Sequence, residues 1–519
     1  MSTTLEHLAR WARELQPDAI PSRVLERARL QHLNLAGAVR AVAARPLAHG
    51  LAAAGSGRGA ARLVTGGSAS RRDAARLHAV LGSWLEHDDW LLFGHTGAAG
   101  VAAAWAFARG HQVETLLAAT VAGNEVAGRL GAALLLAPDR ERGQLVVPAV
   151  AAATVAGLLS GLDAPALAQA LALACVGAGR CSLREQLGGD AAQAQAVGAA
   201  TVAGLDAVEL AGAGVQGPID LLDVRGGLLD SLSPAPLRAA FTGLGRAWLS
   251  QTLAFAVQPG SPYLQVPLQA VGEILDRHVK AADKRLRADQ IDHIEISLGL
   301  PGWSQVQLAQ QHTSTDPTSL VRRLPQAIGL LVSEYAFGPA ELSPERLEAR
   351  RDSVAEVARR VEITHSWTRT ADLVDHLVEV AGPLLVGLTN AELRAAGAAW
   401  GRRSGGLRPP PPALGEALAV LRTRPDRLLA RLAWQSGDLA DARLEELQLR
   451  VGADVRLFTT RGGSWRERRD LSIGSPGWPW ADTVARVQAK WAGTGDPAAA
   501  VALMCSGPAD DAVQALLAG

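Results

Sequence analysis

Apolar residues recur three and four positions apart along the first half of the chain, the spacing of a single buried helical face. The stretch PSRVLERARLQHLNLAGAVRAV shows this behind a Pro-Ser start, a helix-opening signal. SRRDAARLHAVLGSWLEH repeats the pattern, as does HQVETLLAATVAGNEVAGRLGAALL, whose small residues let neighbouring helices approach closely. The opening MSTTLEHLARWARELQPDAI reads as an amphipathic helix rather than a signal peptide. From Gly143 to Leu162 no residue is charged, a run long enough to span a bilayer on length alone. Pro148, the dominance of Ala and Gly, and the continuation into DAPALAQALALACVGAG instead predict two buried helices joined at Gly161–Asp163.

Near residue 285 the period shortens. RADQIDHIEISLGL alternates apolar and polar positions and predicts a strand ending at Gly299. LEELQLRVGADVRLFTTRGG predicts a second strand, with a turn at Gly452–Ala453 and a stop at Gly462–Gly463. Between them, residues 366–445 read as helical, interrupted by RRSGGLRPPPPAL, a stiff extended connector. The tail, WADTVARVQAKWAG followed by DPAAAVALMCSG, returns to helix. The predicted fold class is therefore mainly α. Residues 1–268 form a large all-helical domain, 269–475 a smaller inserted α+β domain, and 476–519 helices that rejoin the first.

Composition narrows the function classes. Apolar residues make up 48% of the 519 but aromatics only 4%, so Ala, Leu and Val must fill the core, as suits packed helices. Lys+Arg and Asp+Glu both number 51, leaving no basic field for nucleic acid or an anionic membrane. Only Lys280, Lys284 and Lys490 are lysines. Cys175, Cys181 and Cys505 lack metal-ligand spacing and suit a reduced, cytoplasmic compartment.

ARLVTGGSASRRDAARLHAVLGS, the run EHDDW…HTGAA, and LLAATVAGNEVAGRLG carry a resemblance to the MmgE/PrpD family, which includes 2-methylcitrate dehydratase, cis-aconitate decarboxylase and iminodisuccinate epimerase. LLSGLDAPALAQALALA, GAGVQGPIDLLDVRGGLL and VRLFTTRGGSWRERRDLSIGSPGWPWADTVARVQAKW extend it over most of 1–345 and 446–495, leaving 366–445 as an insertion without counterpart. It implies a helical domain with an α+β lid, a homodimer, and a cleft between the domains. It also implies no metal or organic cofactor, and acid/base chemistry on small polycarboxylates.

Against that pattern the sequence departs. One family lysine position falls near Gln193 and the other around Val257 or Gln258 in FAVQPGSPY, which ends at Tyr263. The family's second histidine follows an Arg-Gly pair, here Arg142–Gly143, yet no histidine stands between His111 and His278. A family Leu-Pro-Tyr becomes Leu324-Pro325-Gln326. What remains is Glu86-His87-Asp88-Asp89 and His95-Thr96-Gly97.

The resemblance thus marks His95 as catalytic, with Asp88, Asp89 and Glu86 as its acidic companions; an imidazole titrates near neutrality and can move a proton at cellular pH. The alternatives are a loop-capping histidine, and aspartates that bind nearby backbone N–H groups. His87 with Asp88, Asp89 and His95 offers a metal set, though the family uses none. Trp84 and Trp90 read as packing. Gln193, Gln258, Gln326, Arg142 and Tyr263 are the substrate-binding candidates, the amides replacing charged or acidic groups with neutral hydrogen-bonding ones.

The first functional expectation is a cofactor-independent enzyme that cyclises or isomerises a large, weakly charged, polyketide-like secondary metabolite, as in antibiotic biosynthesis. The second is a conventional dehydratase, decarboxylase or epimerase of a small polycarboxylate, with Arg142, Arg180 or Arg184 replacing lysine. The third is a non-catalytic scaffold.

Overall fold

Helix Ser22–Ala43 runs through the middle of the helical body, in contact with helices Arg71–Trp84, Gly97–Ala106 and Val113–Ala133 and with the three C-terminal helices. The computed structural model describes residues 2–55, 57–91, 94–138, 140–179, 191–311, 317–412, 416–417, 436–491 and 495–518; for 140–144, 317 and 318 it describes the backbone only.

Alanine does most of the packing. Along Gly97–Ala106 every residue is buried, and Val113–Ala133 is buried at all but a few positions. Side chains this small let helices meet over long stretches, and the buried area compensates for the scarcity of aromatics. The charge-free stretch is two helices, as expected: Arg140–Leu159, which carries Pro148 inside it, and Ala164–Gly177. Gly161 joins them at φ 78°, left-handed backbone that favours glycine. Among the described residues no helix is long and apolar enough to cross a membrane.

One buried ion pair fixes the loop that later backs the site. Glu125 and Arg129, one turn apart on Val113–Ala133, pair with each other and are fully enclosed. The Glu125 carboxylate also accepts from Leu249 N (3.0 Å), Ser250 N (2.8 Å) and Ser250 Oγ (2.7 Å), while Arg129 Nη2 donates to Ala247 O at 2.9 Å. A 3-10 turn, Leu249–Thr252, is thereby stapled to the helix and leads into the short strand Ala254–Phe255.

Eight strands are present among the described residues. β1 (Ala61–Arg62) pairs with β2 (Ser68–Ala69), and β3 (Asp89–Trp90) with β4 (Ala254–Phe255). β5 (Ile291–Leu298), β6 (Val361–His365), β7 (Ala453–Thr459) and β8 (Ser464–Arg469) form one sheet in the order β6-β5-β7-β8. β5 runs parallel to β6 and antiparallel to β7, with Ile296 opposite Val455 and Ile294 opposite Leu457. Helix Pro262–Ala282 lies against β7 and β8, and its continuous course carries residue 268 in its interior.

One expectation needs correction, and two strands went unread. LEELQLR is not strand: Leu444–Glu446 is a 3-10 turn and β7 begins only at Ala453. The backbone ahead of β7 bonds elsewhere, Gln448 N to His376 Nε2 (2.8 Å) and Leu449 N to Pro476 O (3.3 Å), so no ladder forms. β6 and β8, the edge strands, escaped the periodicity reading. β8 is SWRERR, and charged residues suit a strand edge where they would not suit a central one. Within 366–445, helices Trp367–Ala381 and Asn390–Arg403 are present and the proline run is non-helical; residues 413–415 and 418–435 lie outside the described residues.

The C-terminal helices rejoin the helical body. Trp491, buried, donates its Nε1 to Leu33 O at 3.1 Å, and Arg29 Nε donates to Met504 O at 3.2 Å.

Candidate active site

Helix Arg71–Trp84 ends at Leu85, and the next residue reverses the chain. Glu86 adopts φ 48°, a left-handed conformation that costs a non-glycine residue about 1–2 kcal/mol. Its buried carboxylate pairs with Arg322, itself buried, from the 3-10 turn Pro317–Arg322. Burial pushes the Glu86 carboxyl up, and the Arg322 guanidinium opposes that push.

Residues 88–90 are held against the 254–260 segment: Ala256 N donates to Asp88 O (3.1 Å), Asp89 lies opposite Phe255 in the β3–β4 pair, and Gly260 N donates to Leu85 O (2.9 Å). Asp89 is fully buried. Its Oδ2 accepts from Gln31 Nε2 at 2.8 Å, and Gln31 exchanges hydrogen bonds with Asn124, which also accepts from Thr96 Oγ1 at 2.6 Å. Burial and the neighbouring Asp88 charge push the Asp89 carboxyl up to about 7.

Gly97, the first residue of helix Gly97–Ala106, is what lets Asp89 sit there. A Cβ at Gly97 would lie 1.9 Å from Asp89 Oδ1. Gly97→Ala should therefore displace the carboxylate and cost about 1–3 kcal/mol by overpacking, measured as a shift in the denaturant midpoint. An unshifted midpoint would mean the carboxylate can move aside.

His95 closes the arrangement. Its Nδ1 lies 3.1 Å from Asp89 O and 3.4 Å from Asp88 Oδ2, and about a third of its side chain is exposed. Both neighbours are acceptors, so Nδ1 carries the hydrogen and Nε2 is the nitrogen that takes or gives a proton. Burial pulls the imidazole pKa down, but the Asp88 charge and hydrogen bond, helped by Glu86 and Asp89, outweigh it and hold it above 6.5.

The fourth side of the acidic turn is closed by Lys490, just past helix Trp480–Ala489. Its ammonium donates to Asn34 Oδ1 (2.6 Å) and to His87 O (2.7 Å). Burial lowers it to about 7 against the pull of Asp88 and Asp89. His87 is buried and kept neutral, pushed well below its usual pKa by burial and by Lys490. Trp84 and Trp90 are buried in the core, as the packing reading expected. Among the described residues no group of three His, Cys, Asp or Glu side chains is placed to hold a metal ion.

Glu86, Asp88, Asp89 and His95 thus come together. Gln258 lies two residues beyond Ala256, the partner of Asp88 O; its carbonyl accepts from Gln265 Nε2 (2.9 Å), and its own Nε2 is buried without a described partner. Tyr263, in the first turn of Pro262–Ala282, is half-buried and packs onto the core. Gln193 is half-buried on helix Ala191–Gly212, which packs beside Arg71–Trp84. Gln326 lines a separate apolar cleft of about 420 Å³ with Leu320, Leu347 and Val354. Arg142 lies on helix Arg140–Leu159, its side chain outside the description, while Arg180 and Arg184 lie outside the described residues. Val147 of that helix packs against Gly94.

The sequence reading missed Arg322, Lys490 and the Gln31–Asn124 link. A signal for Lys490 existed: it is one of only three lysines. Gln31 and Asn34 likewise stand out as polar positions on the inner face of a buried helix.

Residues 6–238 match the family model for the MmgE/PrpD N-terminal domain. Over those residues the chain carries an MmgE/PrpD N-terminal domain. It supplies Glu86, Asp88, Asp89, His95 and their supports Gln31, Asn34 and Asn124, whereas β4, Arg322 and Lys490 come from beyond the matched region. MmgE/PrpD proteins are lyase-type enzymes. No curated protein matches the chain.

Proposed function

We propose that this MmgE/PrpD domain is the core of a cofactor-independent enzyme in which His95 Nε2 moves a proton on a weakly charged substrate, in an isomerisation or ring closure. The observation that carries the reading is the hold on His95 Nδ1 by Asp88 Oδ2 and Asp89 O, which fixes the tautomer and aims Nε2 away from the acidic turn. In such a step Nε2 takes a proton from carbon next to a carbonyl, and the resulting imidazolium, stabilised by Asp88, returns it elsewhere on the product. No redox partner is needed.

The low substrate charge follows from electrostatics. Arg322 is engaged by Glu86, and Lys490 by Asn34, His87 O and the acidic turn, so the described cations of the site serve its own carboxylates. A tricarboxylate placed beside Asp88 and Glu86 would meet like charge in a partly desolvated setting. The second reading, a small polycarboxylate, draws on the position of Arg142: its helix packs against Gly94, next to His95.

The test is His95→Asn, which retains a donor toward Asp88 and Asp89 O but removes the base. Loss of general base catalysis is expected to lower turnover by about 10²–10⁴-fold, read as deuterium uptake from D2O by a panel of neutral carbonyl compounds, with aconitate and 2-methylcitrate alongside. Unchanged turnover in the variant rejects the role of His95. Efficient turnover of the two polycarboxylates by the wild-type protein transfers the proposal to the second reading.

A further inference from the structure

We propose that Lys490 is a positioning residue for His95, its ammonium gripping the peptide ahead of Asp88 and setting the charge that the imidazole faces. The inference deepens the reading of His95 as the proton-moving group and rests on it for its functional meaning.

The grip is geometric. The His87 carbonyl that accepts from Lys490 Nζ belongs to the peptide whose nitrogen is that of Asp88, so the hydrogen bond orients the residue that holds His95 Nδ1. Asn34 takes the second donor from the buried face of Ser22–Ala43. The lysine itself has little freedom. The next residue, Trp491, is buried with its Nε1 bonded to Leu33 O and Arg40 stacked 4.7 Å over its ring. A Cβ at Gly37 would stand 2.9 Å from Lys490 Cβ, so the helix leaves space for this residue where it passes.

Among the described residues, the charged groups that act on His95 are Glu86, Asp88 and Asp89 on its own loop; Arg322 from the 3-10 turn acts on Glu86, and Lys490 from the C-terminal segment faces Asp88 and Asp89. Arg322 is bound to Glu86. Lys490 is therefore the cation that offsets the Asp88–Asp89 pair, and its charge limits how strongly the pair favours the imidazolium.

Lys490→Met keeps the apolar stem and removes the charge. Its expected effect is an upward shift of the His95 titration by about half to one pH unit, read by NMR of the full chain with ¹³C-labelled histidines and assigned by the signal missing from His95→Asn. Lys490→Arg should restore the wild-type value. The acid limb of kcat/KM should move with the titration, whereas a lysine with only a packing role would lower stability or kcat and leave both midpoints in place. A folded Lys490→Met protein with an unmoved His95 titration overturns the proposal. Where Lys490→Met does not fold, Asn34→Asp decides, because a carboxylate at that position cancels the ammonium charge without altering the packing. The same upward shift supports the proposal and no shift overturns it. The titration is read without substrate, so an active His95→Asn enzyme would reject the proposed function while leaving this result to stand or fall separately.

Discussion

Replacing Glu125 by alanine is expected to cost about 3–5 kcal/mol of folding stability, the penalty for leaving one partner of a buried ion pair uncompensated. Arg129 is fully enclosed, and with Glu125 gone its guanidinium would keep only carbonyl acceptors, Ala247 O among them. The backbone N–H groups of Leu249 and Ser250 would lose their acceptor as well. Changing both residues together, Glu125→Leu with Arg129→Met, should cost much less than the single change, because no buried charge then remains. Denaturant unfolding of the single and double variants gives the comparison. A double variant as unstable as the single one would show that the turn Leu249–Thr252 depends on the carboxylate for its shape rather than its charge. Either way the effect should reach the site, since that turn feeds β4, which pairs with Asp89 and Trp90.

Acidification is the second large lever. His32 accepts from Trp105 Nε1 at 3.0 Å and lies 3.0 Å from Thr120 Oγ1, while His78 accepts from Val64 N at 3.2 Å. Burial pushes both down to about 3. Below pH 6.5 the unfolded chain binds protons that these folded imidazoles refuse, so stability falls from pH 6.5 toward pH 3. Between pH 6.5 and 5.0 each costs about 2 kcal/mol. His87 acts with the same sign. Asp89 acts with the opposite sign. Pushed up to about 7, it is protonated in the folded state while the unfolded chain still holds the carboxylate, so it returns about 2 kcal/mol over the interval. Glu86, also raised, adds to that return. Lys490, lowered to about 7, is mostly charged in both states across this window and adds little slope. Taken over His32, His78 and Asp89, the expected net is a loss of about 2 kcal/mol by pH 5.0, steepening by about 2 kcal/mol in Asp89→Asn, where the return is removed. Urea midpoints at the two pH values check both numbers. A flat profile would mean that His32 and His78 accept protons in place.

The helical body could be read from periodicity because its elements are local. Each helix needs only its own apolar spacing, and even the unusual charge-free stretch declared its two halves at Gly161. β5 was legible for the same reason, its buried Ile294, Ile296 and Leu298 alternating along the chain. β8 was not, since an edge strand can carry Arg and Glu at most positions and still find its ladder in a neighbour. The site divides the same way. Glu86, Asp88, Asp89 and His95 lie within ten residues and could be grouped by inspection.

The sequence by itself determined a mainly helical protein with an acidic turn and one histidine in a family-specific order, because local spacing and short motifs depend on near neighbours. Only the tertiary structure decided the electrostatics of that turn. Arg322 and Lys490 stand more than two hundred residues away from it, and their charges count only because Glu86 and His87 O lie within hydrogen-bonding reach in the fold. Coulomb energy follows distance in space, which the order of residues along a chain does not specify.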